Sequence, residues 1–433
     1  MAEQVSERRA IGAPEISGHQ WRAFFGAFGG WALDGFDLGI FGLVLGPAMT
    51  ELLPKSGYPV NTATVGFFGE LGVAIFLAGW GCSFIWGPIA DRLGRVPALS
   101  LSILVYATFT CAAGFSQTIW QLSFFRFLSA VGLGGEWSMA GTLVAETIPE
   151  RLRPRFGGIL HAGVYGGILL GSVANYAIGL QFGWRSMFFL GILPALFVLY
   201  IRSQTKEPGR WVKVSDRTRR TAYTSFLAKI LAAPYRRRTW INVLLLFIAL
   251  TGFWAGSQYL GASILTLAAQ QGIGRPQALT IATLALGALS LFTIIGCLIV
   301  PWLAQRIGRR HTLMISFVLM IIGIAGAFGW GYYAGNINIF LAFIPILGIG
   351  GADFAVFTVW LPEQYPTEIR ATAFAFCTTM SRFVAAAGTF LIGSAIAAAH
   401  TIGWPLALTA LPFLIGLWLA YQGPETTGQV LPD

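Results

Sequence analysis

Gly87-Pro-Ile-Ala-Asp-Arg-Leu-Gly-Arg95 is followed 214 positions later by Pro301-Trp-Leu-Ala-Gln-Arg-Ile-Gly-Arg-Arg310, with Arg95 aligned to Arg309. A second pair keeps nearly the same spacing: Glu146-Thr-Ile-Pro-Glu-Arg-Leu-Arg153 is echoed 217 positions on by Glu363-Gln-Tyr-Pro-Thr-Glu-Ile-Arg370. One duplicated unit explains both pairs. Internal repeats of this kind mark carriers that rock two halves about a central site.

The segments between these loops are apolar. Of the 433 residues 55% are hydrophobic and 11% charged, with mean hydropathy +0.68, against about 25% charged in a typical soluble domain. Eighteen acids and 28 bases are too few to clothe a soluble protein of this size. A helix needs about 20 apolar residues to cross a bilayer. Twelve such runs are read, at about 22–48, 64–90, 96–115, 119–147, 156–180 and 184–203, then 239–268, 277–303, 312–333, 337–365, 371–399 and 403–422. The predicted fold is therefore an all-α membrane protein, with twelve transmembrane helices in two pseudosymmetric six-helix bundles. The bundles occupy 22–203 and 239–422. A basic linker, 204–238, separates them, and the tails are 1–21 and 423–433.

A formal net charge of +10 would raise nucleic-acid binding in a soluble chain, so the placement of the bases decides its meaning. Lys55, Arg185 and Arg275 fall on one face, Arg126 and Arg382 lie inside spans, and the other 23 of the 28 fall on the opposite face. That is the positive-inside pattern, with both termini cytoplasmic in a plasma or bacterial inner membrane. Lipid, not nucleic acid, is the expected surrounding. Cys82, Cys111, Cys297 and Cys377 lie in apolar runs without metal-ligand spacing, so they read as reduced, packed thiols. The first 20 residues lack a signal-peptide pattern, and the first span is expected to target the chain.

Gly87 with Asp91-Arg92-x-Gly94-Arg95 resembles the signature loop of the major facilitator superfamily, and Arg306, Gly308 and Arg309 stand in its degenerate copy. Within that superfamily, Asp34-Gly35-Phe36-Asp37, the run from Arg126 to Trp137 and Gly183 to Pro194 are similar to proton symporters for sialic acid and monocarboxylates. Aromatic-acid symporters share the first motif, and broader metabolite symporters the second. The resemblance implies a loop that stabilises the outward-open state as a gate, and a coupling role for Arg126. Asp91 aligns with Gln305, so the second copy has lost a charge and the lock is expected to be asymmetric. Asp91, Arg92 and Arg95 are expected to tie span ends within one half.

Ionisable side chains at mid-membrane cost at least ~2.5 kcal/mol and call for a partner or a purpose. Asp34, Asp37, Glu70, Arg126, Glu136, Asp353 and Arg382 qualify. Asp34 and Asp37 stand about 60° apart on one helix face, where two carboxylates disfavour each other's ionisation, as a proton carrier requires. Glu136 and Asp353 share the 217-residue offset and offer symmetric relay acids or mere partners for arginines. Glu70 reads as structural. Arg126 and Glu136 do not touch, about 80° and 15 Å apart on one helix, which leaves Arg126 available to Asp34 or Asp37.

Arg382, eleven residues into the eleventh span, is a natural clamp for an organic anion, or else the neutralising partner of Asp353 or Asp34. The repeat offset pairs it with Tyr165, and Thr378 with His161, as facing walls of one site. Asn175, Trp254, Gln258 and Tyr259 are further candidate contacts. Glycine spacing on spans one and five serves close packing. Gly132-Leu-Gly-Gly lacks the spacing and the lysine of a phosphate loop, and no catalytic motif is present. The expectation is a monomeric, cofactor-free and metal-free secondary transporter, not an enzyme. It would carry a small organic anion, a monocarboxylate or sialic-acid-like molecule, with protons by alternating access. A neutral sugar or an aromatic acid as substrate, or a non-transporting receptor, are the alternatives.

Overall fold

A computed structural model describes residues 16–432, apart from the side chains at 42, 62, 63, 66, 70, 202, 389, 390 and 397. Glu70 and most of the N-terminal tail thus lie outside the described residues. The described chain is helical throughout, with no strand.

The first span is Gly18–Lys55, capped by Ser17 and Gln20 and bent by 47° at position 42. The second runs from Thr62–Gly81 through a tight turn into Trp86–Leu93, and the third is Arg95–Ala113. Only Gly94 separates these two, at φ +117°, a value that favours glycine because it has no Cβ. The repeat does the same at Gly308, φ +94°, between Arg275–Arg306 and Arg309–Ile324. Both loops of the opening repeat are therefore hairpin corners set by one glycine.

Ten helices and the bent first one are long and apolar enough to cross a bilayer. The fourth path, Ile119–Leu133 and Glu136–Thr147, completes the twelve although Gly134-Gly135 splits it and Arg126 and Glu136 lie in it. Its second piece is buried from Glu136 to Glu146, so protein and not lipid surrounds those charges. Within the halves the first span packs along the fifth and the seventh along the eleventh, as the repeat requires. Between them the fifth meets the eighth and the second meets the eleventh. Two further helices, Gly209–Arg220 and Tyr223–Leu231, lie in the linker across the end of the bundle that carries the repeated loops, the loop end.

Candidate functional site: a central arginine among aromatic rings

The two symmetric acids owe their positions to the same local break. Gly134-Gly135 interrupts the fourth path where there is no room for side chains, a Cβ on Gly135 standing 2.5 Å from the Trp86 indole. Glu136 becomes the first residue of the next half-helix, where exposed N–H groups and the dipole favour negative charge. Gly350-Gly351-Ala352 breaks the tenth path likewise, and Asp353 opens Asp353–Glu363. Both acids are fully buried, and among the described residues no side chain donates a hydrogen bond to either carboxylate.

Asp34 and Asp37 share a face of the first span and lie close enough to feel each other's charge, as their spacing implies, but they are partnered differently. Asp37 accepts hydrogen bonds from Arg126 Nη1 at 3.0 and 3.1 Å and from the Thr110 hydroxyl at 2.9 Å. The Arg126 guanidinium also lies 4.5 Å over the Phe41 ring and 4.7 Å over Phe76. Arg126 therefore serves Asp37, which neutralises it. Among the described residues Asp34 is left with no hydrogen-bond partner, and the charged groups around it are Glu136 of the fourth span, Asp37 and Arg382. Glu136 turns toward the first span because residue 30 is glycine; a Cβ there would be 2.9 Å from its Oε2.

Arg382 is buried at the level where the halves meet. Its Nη1 donates to the Thr378 carbonyl at 3.0 Å, and the guanidinium lies 4.2 Å over Trp80 and 5.7 Å from Trp137. It pairs with neither Asp353 nor Asp34 within salt-bridge distance among the described residues. Trp137 links it to the opposite wall, with its ring 5.3 Å from His161. His161 stacks on Phe354 and stands edge-on to Tyr165, which faces Phe253. Polar contacts cross the halves here: Trp137 Nε1 donates to the Thr358 hydroxyl at 2.8 Å, and His161 Nδ1 lies 3.4 Å from it. Arg382, Tyr165 and His161 are thus brought into one aromatic-lined centre, with Trp254 edge-on to Trp80.

Other candidates stand apart. Asn175 lies about 15 Å along the helix from Tyr165, against Gly179 beside Met187. Gln258 is exposed at the end of Arg236–Gln258, and Tyr259 turns toward Gly393 of the eleventh span. Sequence reasoning passed over Trp80, Trp137, Phe253, Phe354 and Thr358. Trp137 follows Glu136 directly and could have been read with it. Trp80 carries no periodic signal that separates it from an ordinary membrane tryptophan.

At the loop end, Arg95 donates to both Glu146 oxygens at 2.9 and 3.0 Å and pairs with Asp91 at 3.1 Å. The lock does not stay within one half, as the sequence suggested. Asp91 accepts the backbone N–H groups of Ala371 and Thr372 at the start of the eleventh span, and Arg370 reaches Glu146 at 2.6 Å. Gly87 permits the approach, a Cβ there standing 2.6 Å from the Thr372 backbone. In the second copy Arg309 donates to both Glu363 oxygens, and Arg153 crosses to Glu363 at 3.3 Å. Gln305 instead donates to the Arg151 carbonyl. Arg92 and Arg306 lie outside these networks, against Tyr223 and Trp302 respectively. Among the described residues the hydrogen bonds between the halves run from mid-depth to the loop end, beginning at Ser83 and Thr379.

A twice-repeated helical bundle, clamped at one end around a buried charged centre, is the architecture of a membrane carrier. The chain belongs to the Major Facilitator Superfamily, whose family profile matches residues 23–331 and 258–432. A probable 4-methylmuconolactone transporter of Cupriavidus pinatubonensis is 29% identical over 95% of this chain and 92% of its own. The 4-hydroxybenzoate transporter PcaK of Pseudomonas aeruginosa is 26% identical over 94% of this chain and 93% of its own. The proton:xylose symporter XylE, solved with a bound sugar analogue, superposes with a TM-score of 0.81 at 18% identity over 96% of this chain and 98% of XylE, which establishes the twelve-helix fold. The protein is a multi-pass transporter of small molecules, not an enzyme.

Proposed function

We propose that this transporter moves a small organic acid with a flat ring, together with protons, through a site centred on Arg382. The observation that carries the reading is a buried guanidinium with no carboxylate within salt-bridge distance among the described residues, lying over Trp80 and beside Trp137. A planar cation accepts a carboxylate through two parallel hydrogen bonds. The surrounding indoles and phenyl rings offer stacking faces to an apolar ring. The names of the two relatives, transporters for 4-methylmuconolactone and 4-hydroxybenzoate, support the same class.

Proton coupling follows from Coulomb's law. Among the described residues Arg382 is the cation whose field reaches Asp34, which also feels Glu136 and Asp37. A substrate carboxylate on Arg382 cancels that positive field, and a proton on the Asp34–Glu136 pair then replaces it. Anion and proton thereby favour each other's binding, reciprocally. In this reading Asp37 and Arg126 form the neighbouring station and Asp353 the matching acid of the second half. The loop end lies in the cytoplasm, with both termini, and the protein works as a monomer in a bacterial inner membrane. With the loop end clamped, this reading takes the state to be outward-facing.

Thermal stabilisation of the purified protein by a panel of carboxylates and sugars tests the anion site. Aromatic carboxylates should stabilise it, and Arg382→Ala should weaken them about 10- to 100-fold. Unchanged affinity in Arg382→Ala, or stabilisation by neutral sugars alone, overturns the assignment. Uptake of 4-hydroxybenzoate into proteoliposomes should rise with an inward proton gradient. Indifference to that gradient removes the coupling.

A further inference from the structure

We infer that Tyr106 of the third span is the relay hydroxyl that joins the two acidic stations, Asp37 with Arg126 on one side and Asp34 with Glu136 on the other. This rests on the proton-coupled reading above and adds a residue to it. Tyr106 is fully buried, and its hydroxyl has no hydrogen-bond partner among the described residues. Leaving a buried hydroxyl unpaired costs about 1–3 kcal/mol, so a tyrosine kept there instead of phenylalanine calls for a use.

Its position follows from two contacts on its own helix. Ile103 meets residue 30 of the first span, where a Cβ would stand 3.4 Å from Ile103 Cδ1 and 2.9 Å from Glu136 Oε2. Thr110 donates its hydroxyl to Asp37. Residues 103, 106 and 110 lie on one face of the third span, and 30, 34 and 37 on one face of the first. Both helices start at the loop end, so the two faces run in register over seven residues. Tyr106 therefore falls level with Asp34, between the contact at Glu136 and the contact at Asp37. Its electrostatic neighbours are these same groups, Glu136, Asp34 and Asp37, with Arg126 and Arg382 the charged groups beyond them. Close packing fixes the helix at this point: a Cβ on Gly132 of the fourth span would touch the Tyr106 backbone at 2.6 Å.

The step conserves protons. Because the Tyr106 hydroxyl touches neither station directly, the transfer runs across bridging water. Once Asp37 is protonated and so released from Arg126, the Tyr106 oxygen takes up its proton through one water as its own O–H proton passes through another to the carboxylate of Asp34 or Glu136. The hydroxyl is regenerated, and rotation about its C–O bond resets it. One proton has moved and no charge remains on the ring.

Tyr106→Phe removes only the hydroxyl. Protonation of buried carboxyl groups after a pH jump, followed by the infrared carbonyl band of the acid form in purified full-length protein, reads the step without any substrate. The variant should protonate the Asp34–Glu136 pair about 100-fold more slowly, at an unchanged melting temperature. An unchanged rate overturns the relay. Should the phenylalanine variant not fold, 3-fluorotyrosine at position 106 keeps the hydroxyl but makes it more acidic. The relay then requires the rate and its pH profile to shift, and a purely packed side chain leaves both where they were. In proteoliposomes Tyr106→Phe should retain exchange of 4-hydroxybenzoate while gradient-driven accumulation falls at least about 10-fold. Failure of the wild type to accumulate 4-hydroxybenzoate bears on the transport reading alone, because the infrared rate needs no substrate.

Discussion

The two copies of the loop-end lock use the same parts to different effect. In the first, Arg95, Asp91, Glu146 and the crossing Arg370 are all fully buried, and one glutamate serves two arginines. In the second, Glu363 again serves two arginines, Arg309 and the crossing Arg153, but Arg153 also reaches Glu150, and Thr426 donates to Glu363. Among the described residues Arg370, the crossing cation of the first copy, pairs with Glu146 alone, whereas Arg153, the crossing cation of the second, has Glu150 beside Glu363. A repeat therefore conserves the geometry of a gate while leaving its strength to be set in each half separately.

The largest consequence concerns the two glutamates. Removing one member of a buried charge cluster strands the others at a cost of about 3–5 kcal/mol. Glu146→Ala should approach that cost, because among the described residues it leaves Arg95 with Asp91 alone and Arg370 with no paired carboxylate. Glu363→Ala should cost distinctly less, since Glu150 remains near Arg153. Thermal unfolding of the two variants in one detergent measures the difference. Equal losses would mean that the copies are energetically equivalent, and the comparison would break.

A smaller effect is expected where the copies differ in charge. Asp91 caps the first turn of the eleventh span, and a carboxylate at a helix N-terminus contributes about 0.3–2 kcal/mol. Asp91→Asn should thus release the loop end, raising reaction of Cys377 with a membrane-permeant thiol reagent about 2- to 10-fold, since Cys377 is buried on the same helix. Gln305→Asn, which changes no charge and only shortens the amide at the matching position of the second copy, should leave it nearly unmoved, because only a neutral bond to the Arg151 carbonyl is altered.

That asymmetry was legible in advance, since Asp91 and Gln305 align in the repeat, and so was the twelve-span plan, since apolar length and duplicated loops are one-dimensional signals. The lock's reach across the halves was not. Nothing in a linear pattern says that Asp91 meets Ala371, 280 positions away. The site divides similarly. Arg382 was marked by being a charge in an apolar run, and Glu136 and Asp353 by their shared offset. The choice of Asp37 over Asp34 by Arg126 depends on the cage of Phe41 and Phe76 on two other helices. Trp80 was invisible because aromatic residues are common in every span. Asn175 and Gln258 failed to join the site because helical spacing fixes a face but not which end of the bundle it reaches.

The smallest effect sharpens the comparison at the edges of the lock. Glu207 and Glu425 are matched caps: Glu207 accepts the N–H groups of Arg95 and Val96, and Glu425 those of Arg309 and Arg310. Burial pushes the Glu207 carboxyl above its ordinary value, more than the caps and Arg95 can offset. Glu425 is also partly buried, yet the Thr427 hydroxyl and the two helix N–H groups hold it below that value. The signs of linkage are opposite. A raised carboxyl favours folding below the ordinary glutamate range and loses that contribution as pH rises through its folded value. A lowered one contributes above the ordinary range and loses it as pH falls through its folded value. Melting temperatures of Glu425→Gln and wild type should therefore diverge at neutral pH, with the variant lower, and converge in acid. For Glu207→Gln the variant should match or exceed wild type at neutral pH and lose that advantage in acid. Each effect should stay under ~1 kcal/mol at such partly solvated sites, and parallel pH curves for the two variants would show that the caps are equivalent after all.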